Sequence, residues 1–134
     1  MAEELEITIA SHPRWLRLVR HVVQEFARES GFGDQDTQAI VLAVDEAAGN
    51  VLKHSYKGDT SRKFSLACRS SDDELEFELR DAGPQFEPAK IPQLPPDEVR
   101  AGGRGVFLMR EIMDEVEYSR VDGENIVRLR KRTG

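Results

Sequence analysis

Glu46 and Asn50, within LAVDEAAGNVLKHSY, are the residue pair in this sequence that most suggests chemistry. On a helix, a spacing of four places them about 40° apart around the axis, one above the other. A carboxylate beside an amide oxygen offers a ligand for a hard cation and a group that takes a proton or aligns a nucleophile. The neighbouring Asp45 points about 100° away, and we do not assign it that role. On spacing alone, an exposed polar helix face is the commoner explanation.

A second pattern, Asp81-Ala82-Gly83, directly follows the alternating segment ELEFELR. A carboxylate at a strand end accepts a hydrogen bond from an exocyclic amino group such as that of adenine. A glycine two residues later allows the backbone to approach a flat ring closely. Without further context, Asp-x-Gly is an ordinary turn sequence.

The third pattern is glycine-rich and precedes the segment VFLMREIM: Gly102, Gly103 and Gly105 surround Arg104. Glycines leave backbone N–H groups unobstructed, and the positive end of a helix dipole favours phosphate. Arg104 would add a charged fork for a terminal phosphate. A flexible hinge before a helix is an equally good explanation of this run alone. The sequence has neither a Walker-type glycine-lysine loop nor a dinucleotide fingerprint after a first strand.

The elements that position these residues are read from hydrophobic periodicity. Residues 5–10 alternate as a short edge strand, and Ser11 and Pro13 predict the start of a helix over 15–26. Asp34 or Asp36 is expected to cap a second helix over 37–54. The buried stripe of that second helix is predicted to consist of Ile40, Val44, Ala47, Ala48 and Val51.

The second half of the chain alternates strands and one helix around a long irregular stretch. Five prolines and three glycines fall within 81–103, a composition typical of a lid or binding loop. The order of elements favours an α+β two-layer sandwich over a doubly wound parallel sheet. The remaining segments share the same periodic signatures: strands at 63–69, 74–80, 116–121 and 125–130, hairpin turns at 70–73 and 122–123, and a helix at 105–113 with Phe107 and Met109 in the core.

Bulk composition predicts one soluble domain over residues 1–134, with 39% hydrophobic and 33% charged residues. The single cysteine, Cys68, excludes an internal disulfide and favours a reducing, cytoplasmic setting. No apolar run is long enough to span a bilayer. A net charge of −6 disfavours direct binding to nucleic acid or to an anionic membrane. The basic tail, residues 128–132, is interpreted as a solvated strand end.

Taken in order, Glu-x-x-x-Asn on a helix, Asp-x-Gly after a strand and Gly-x-Gly opening a helix resemble the three ATP-binding boxes of the GHKL superfamily, with a proline-rich lid between the last two. The resemblance covers about residues 5–130. Within that superfamily, the short length and the phrase DEAAGNVLKHSY resemble the anti-sigma-factor serine kinases of bacterial partner-switching systems. The resemblance to this superfamily implies a Bergerat-type two-layer sandwich, in which a mixed, mostly antiparallel sheet carries helices on one face.

The resemblance also implies a role for each box. Asn50 would hold Mg²⁺, Glu46 would act as general base for a serine hydroxyl, and Asp81 would bind the adenine amino group of ATP. Gly83 would allow ring approach, while Gly103, Arg104 and Gly105 would contact the phosphates. Relatives commonly have a polar residue near the site at the position of His54. Here we interpret His54 as a satisfied histidine at the helix end, without a role in the site. Pro84 and Gln85 stand where many relatives have a second glycine.

The function implied is phosphoryl transfer from ATP to a serine of a small STAS-type anti-sigma-factor antagonist, alternating with sequestration of a sigma factor. A homodimer through the first strand and helix is a further expectation of the family. Three alternatives stay open at this point. The first is a nucleotide-dependent switch without kinase activity that binds a phosphatase or another signalling partner. The others are a detached histidine-kinase catalytic domain and a purely structural interaction module.

Overall fold

Helices pack on one face of an antiparallel sheet, as expected for an α+β two-layer sandwich. The structure, a computed structural model, describes residues 3–85 and 104–133, and the side chains of the second stretch from 108 onward. In chain order the elements are β1 (Glu3–Ala10), α1 (Leu16–Glu29), α2 (Asp34–Asn50), β2 (Lys63–Ser70), β3 (Glu74–Asp81), α3 (Arg104–Ile112), β4 (Glu115–Val121) and β5 (Glu124–Arg132).

The strand order is β1-β2-β3-β5-β4, and each neighbouring pair is antiparallel. β3 therefore lies in the centre of the sheet, and its C-terminal residue Asp81 pairs with Asn125 at the start of β5. None of the helices in the described ranges is long and apolar enough to cross a membrane.

The core lies between the helices and the inward-facing side chains of the sheet. Alternate residues of the central strands, including Leu66 and Phe77, are fully buried, because successive strand residues point to opposite faces. Phe26 of α1 meets Phe77 edge to face, with ring centroids 6.2 Å apart. Ile40 of α2 and Met109 of α3 are fully buried, as predicted. The predicted core position Phe107 has a side chain outside the described part of the structure.

The second helix differs from its prediction at both ends. Gly33 occupies the N-cap without a side-chain hydrogen bond, so Asp34 and Asp36 are not caps; both lie in the first turn, where negative charge favours the helix dipole. At the other end the α-helix stops at Asn50 and continues as a π-helix, Val51–Ser55, instead of running on to residue 54. Hydrophobic spacing does not distinguish these two helix types over a single turn.

Ser11 also has a different role from the predicted helix cap. Its hydroxyl donates to the Asp59 carbonyl at 2.7 Å and accepts from the Arg62 N–H at 3.2 Å. His12 instead caps a short 3₁₀ turn, Pro13–Trp15, through its Nδ1 atom, which accepts from the Arg14 N–H. Ser11 therefore joins the end of β1 to the loop before β2.

The sheet face opposite the helices carries a ladder of alternating acidic and basic side chains, here called the outer-face ladder. At its centre is Glu78, only 3% exposed, which accepts hydrogen bonds from Arg69, Arg80 and Arg128 at 2.8–3.4 Å. Burial raises the pKa of Glu78, but the hydrogen bonds from the three guanidinium groups outweigh it and lower the pKa to about 2.

The basic tail of the chain belongs to this ladder. Arg128 bonds to Glu78, and Arg130 bonds to Glu76 and Glu115, each at 2.8 Å. The prediction of a merely solvated strand end was therefore wrong for Arg128 and Arg130, because their acidic partners lie on neighbouring strands of the sheet, whereas Arg132 is exposed as predicted.

Candidate functional site

A hollow opens between the end of α2 and the sheet, where polar side chains replace the apolar ones of the core. It has space for roughly one water molecule, about 20 Å³, within a recess of about 360 Å³ that includes open solvent. The hollow is lined by Ala47, Asn50, Val51, Ser55, Asp81, Tyr118, Ser119, Asn125, Ile126 and Val127.

Asn50 is the last residue of α2 and is 8% exposed. Its side-chain nitrogen has no hydrogen-bond partner within residues 3–85 and 104–133. Leaving a buried polar group unsatisfied costs about 1–3 kcal/mol, so such groups call for an explanation. The sequence prediction treated Asn50 as lying outside the core, whereas the structure buries it at the wall of the hollow.

Asp81 ends β3 and is also buried. Its carboxylate accepts three hydrogen bonds: from the Ser55 hydroxyl at 3.1 Å, from the Gly83 N–H at 2.9 Å and from the Asn125 amide at 2.9 Å. An ionised carboxylate has about four acceptor positions, so one remains after the three donors found among the described residues. Asn50 and Asp81, from distant segments, thus share one hollow.

Gly83 is required by a contact within the protein. A Cβ atom at this position would lie 2.7 Å from the Ser55 carbonyl oxygen, closer than real Cβ contacts allow. The turn after β3 therefore packs directly on the π-helix. The predicted approach of a flat ring to Gly83 stays a prediction.

Three other residues of the α2 segment lie outside the hollow's lining. Glu46 is half-buried and one turn before Asn50. Asp45 points away from Glu46, as its helical angle predicts, and pairs with Arg20 of α1 at 3.1 Å. His54 is exposed at the end of the π-helix. Partial burial and the positive charge of Lys53 lower the pKa of His54, so its neutral form is favoured.

The glycine-rich pattern is described only in part. Gly102 and Gly103 lie outside the described residues. Arg104 and Gly105 open α3, and their side-chain surroundings also lie outside the description. α3 packs against α2, the helix that carries Asn50.

The structure adds residues that sequence reasoning missed. Asn125 and Ser55 both donate to Asp81, and Tyr118 lines the hollow with a phenol whose pKa burial raises to about 12. The Tyr56 hydroxyl accepts from the Ala82 N–H at 2.9 Å, and Arg62 stacks 4.7 Å from its ring centroid. The Asp122-Gly123 turn fixed the hairpin that carries Asn125, but nothing local indicated which face its side chain joins.

Comparison with known proteins defines the class. The family described as Histidine kinase-like ATPase domain matches residues 9–131, so the chain belongs to that family. Membership implies the use of ATP.

The relatives narrow this class. The chain is similar to the protein named Serine-protein kinase RsbW in Oceanobacillus iheyensis, 26% identical over 92% of this chain and 83% of that protein. The protein of the same name in Bacillus subtilis is 27% identical over 93% of this chain and 83% of its own length. A crystal structure of the RsbU and RsbW domains of a Mycobacterium tuberculosis protein superposes with a TM-score of 0.71 at 21% identity. The match covers 97% of this chain but only 32% of the longer Mycobacterium tuberculosis chain. It supports the fold.

Proposed function

We propose that this chain is an ATP-dependent serine-protein kinase of a partner-switching system. It phosphorylates a serine of a small STAS-type anti-sigma-factor antagonist and otherwise sequesters a sigma factor. The similarity to proteins named Serine-protein kinase RsbW supports this activity. The observation that carries the proposal is the shared hollow, in which the buried Asn50 amide, whose nitrogen has no partner among the described residues, lies in the same lining as the Asp81 carboxylate.

Magnesium fits the chemistry of this site. The amide oxygen of Asn50 is a hard ligand for a cation, and the amide nitrogen, which has no partner among the described residues, would donate to a phosphate oxygen or a water. Within the described residues no group of three or more His, Cys, Asp or Glu is placed to hold a metal. This suits a cation that relies on phosphate oxygens and water more than on a protein cage. Asn50 would hold Mg²⁺, which when bound neutralises charge on the phosphates.

Asp81 binds the nucleobase in this proposal. Its remaining acceptor position would take the adenine amino group, with the base lying in the solvent-open part of the recess. Gly83, next to Ser55, would border the base. Gly103, Arg104 and Gly105 would contact the phosphates from the start of α3.

Glu46 acts as the general base. The serine oxygen of the antagonist forms a bond to the γ-phosphorus, the bond from that phosphorus to the bridging oxygen of ADP breaks, and the serine proton passes to the Glu46 carboxylate. Its position one turn before Asn50 and its partial exposure leave the carboxylate accessible to a docking partner. A cytoplasmic setting and a homodimer through β1 and α1 complete the proposal.

The test is transfer of label from γ-labelled ATP in the presence of Mg²⁺ and candidate STAS-type antagonists. The matched control is the same antagonist with its acceptor serine replaced by alanine. We expect label on the serine form alone, and loss of that label when Mg²⁺ is chelated.

Two results would contradict the proposal in different ways. Tight ATP binding without transfer to any candidate would identify a nucleotide-dependent switch instead. Absence of ATP and ADP binding in isothermal titration would identify a structural interaction module.

A further inference from the structure

Asp81, Asn125 and Arg120 form one row across three neighbouring strands. The register pairs Asp81 of β3 with Asn125 of β5, and Asn125 with Arg120 of β4. Directly opposite residues in a sheet have side chains close enough to contact each other. The register therefore brings a carboxylate, an amide and a guanidinium together at the edge of the hollow.

Asn125 is 7% exposed and connects the two charged groups of this row. Its Nδ2 atom donates to Asp81 Oδ1 at 2.9 Å and to the Pro84 carbonyl at 2.8 Å. Its Oδ1 atom accepts from Arg120 Nη1 at 3.0 Å, and the same guanidinium nitrogen donates to the Gly83 carbonyl at 3.0 Å. Asn125 and Arg120 together thus hold both Asp81 and the turn that follows β3.

The partners of Asn125 fix the direction of its amide. Arg120 can only donate, so the amide oxygen faces Arg120. An ionised carboxylate and a carbonyl can only accept, so the amide nitrogen faces Asp81 and Pro84. A reversed amide would place oxygen against oxygen on one side and nitrogen against nitrogen on the other.

We infer that Asn125, oriented by Arg120, is a positioning residue that keeps Asp81 a hydrogen-bond acceptor and so sets the choice between a 6-amino and a 6-keto purine. The inference rests on the proposed nucleotide binding. A 6-amino group donates to the free acceptor position of Asp81, whereas a 6-keto oxygen would face a carboxylate with no proton to share.

The experiment compares ATP with ITP, two nucleotides that differ in the 6-position group of the base, by isothermal titration with the wild-type chain and Asn125→Asp. The variant places a second carboxylate within hydrogen-bond distance of Asp81, and like charges this close share a proton. When that proton resides on the Asp81 oxygen that faces the base, Asp81 becomes a donor for a 6-keto oxygen. We expect the ATP-to-ITP affinity ratio to fall by on the order of tenfold or more.

Arg120→Ala provides a second variant at an exposed residue, and thermal unfolding checks that it is folded before titration. Removing the donor that orients the Asn125 oxygen should lower the ratio in the same direction, by about threefold or more. Arg132→Ala, at the other end of the same hairpin with a largely exposed side chain, is the matched control and should keep the wild-type ratio.

The outcomes separate the inference from the proposed function. If the wild-type chain binds neither nucleotide, the proposed function fails. If it prefers ATP, but both folded variants keep the wild-type ratio, even with weaker binding of both nucleotides, the inference is overturned, because a merely structural role weakens both equally. A fall of the ratio in Arg120→Ala supports the inference even where Asn125→Asp does not fold.

Discussion

The hollow and the outer-face ladder both bury polar groups, but they satisfy them differently. In the ladder, Glu78 is 3% exposed and has three arginine donors. In the hollow, Asn50 is 8% exposed and its amide nitrogen has no partner in the described part of the protein. The two regions lie on opposite faces of the same sheet.

This difference distinguishes a structural cluster from a binding site. A fully partnered polar cluster already has the hydrogen bonds that burial requires, so removing one member leaves the others unpaired. An unpartnered group has no such bond to lose, and its cost is offset when a ligand supplies the missing contact. Changes in the ladder should therefore alter the free energy of unfolding. Changes around the hollow should alter ATP affinity and phosphoryl transfer.

The largest effect expected is on catalysis, from Glu46→Gln. Loss of the proposed general base should lower the rate of label transfer by about 10²–10⁴-fold. ATP affinity should be kept, because Glu46 is not part of the hollow's lining. Full transfer by this variant would show that Glu46 is no base.

Asn50→Ala should affect binding more than folding. We expect Mg²⁺-dependent ATP affinity to fall by roughly 100-fold, which corresponds to about 2.7 kcal/mol. The free energy of unfolding should change by less than about 1 kcal/mol, because the amide nitrogen has no hydrogen bond to lose. Isothermal titration with and without Mg²⁺, together with urea unfolding, measures both. A strongly destabilised variant would place Asn50 in a structural role.

Glu78→Gln should show the reverse behaviour. Removing the buried charge leaves three arginines without their shared partner, and we expect a loss of about 2–4 kcal/mol in the free energy of unfolding. ATP affinity of the folded variant should equal that of the wild type. Weakened ATP binding without destabilisation would remove the distinction between the two regions.

Acid should weaken the ladder through the same residue. The pKa of Glu78 is lowered from 4.5 to about 2 in the folded chain. The group therefore contributes stability fully above its unfolded pKa, and this contribution is lost as pH falls from about 4.5 through about 2. Thermal unfolding of the wild type should show stability falling with pH over that range. In Glu78→Gln this dependence of stability on pH should be shallower. Equal slopes would exclude Glu78 as its source.

The smallest effect should come from Asp45→Asn, the matched control for Glu46. Asp45 pairs with Arg20 across a partly exposed surface, and such pairs contribute about 0.2–1 kcal/mol. Transfer rate and ATP affinity should stay at wild-type values. A tenfold loss of transfer would mean that the two neighbouring carboxylates share the role.

Periodicity predicted the strands and α-helices of the described fold, because burial on one face dictates the spacing of apolar residues, but it predicted neither the 3₁₀ turn nor the π-helix. Ends were less predictable. No local pattern recorded the π-helix after Asn50 or the packing of its Ser55 carbonyl against Gly83. Ser11 contacts Asp59 and Arg62, which are likewise distant in sequence.

At the candidate site, the sequence indicated Asn50 and Asp81 through ordered motifs, and the structure brings both to one hollow. The sequence did not indicate Ser55, Asn125 or Arg120. The roles of Asn125 and Arg120 depend on the register between β3, β5 and β4, and a register shift by one residue would turn Asn125 to the opposite face. Ser55 reaches Asp81 from the π-helix, which is distant from β3 in sequence.

The most direct test of the hollow is a crystal structure of the chain grown with ADP and Mg²⁺. We predict adenine density against the Asp81 carboxylate, with the cation beside the Asn50 side chain. Nucleotide density at another surface, with Asn50 and Asp81 contacting only protein, would contradict the account.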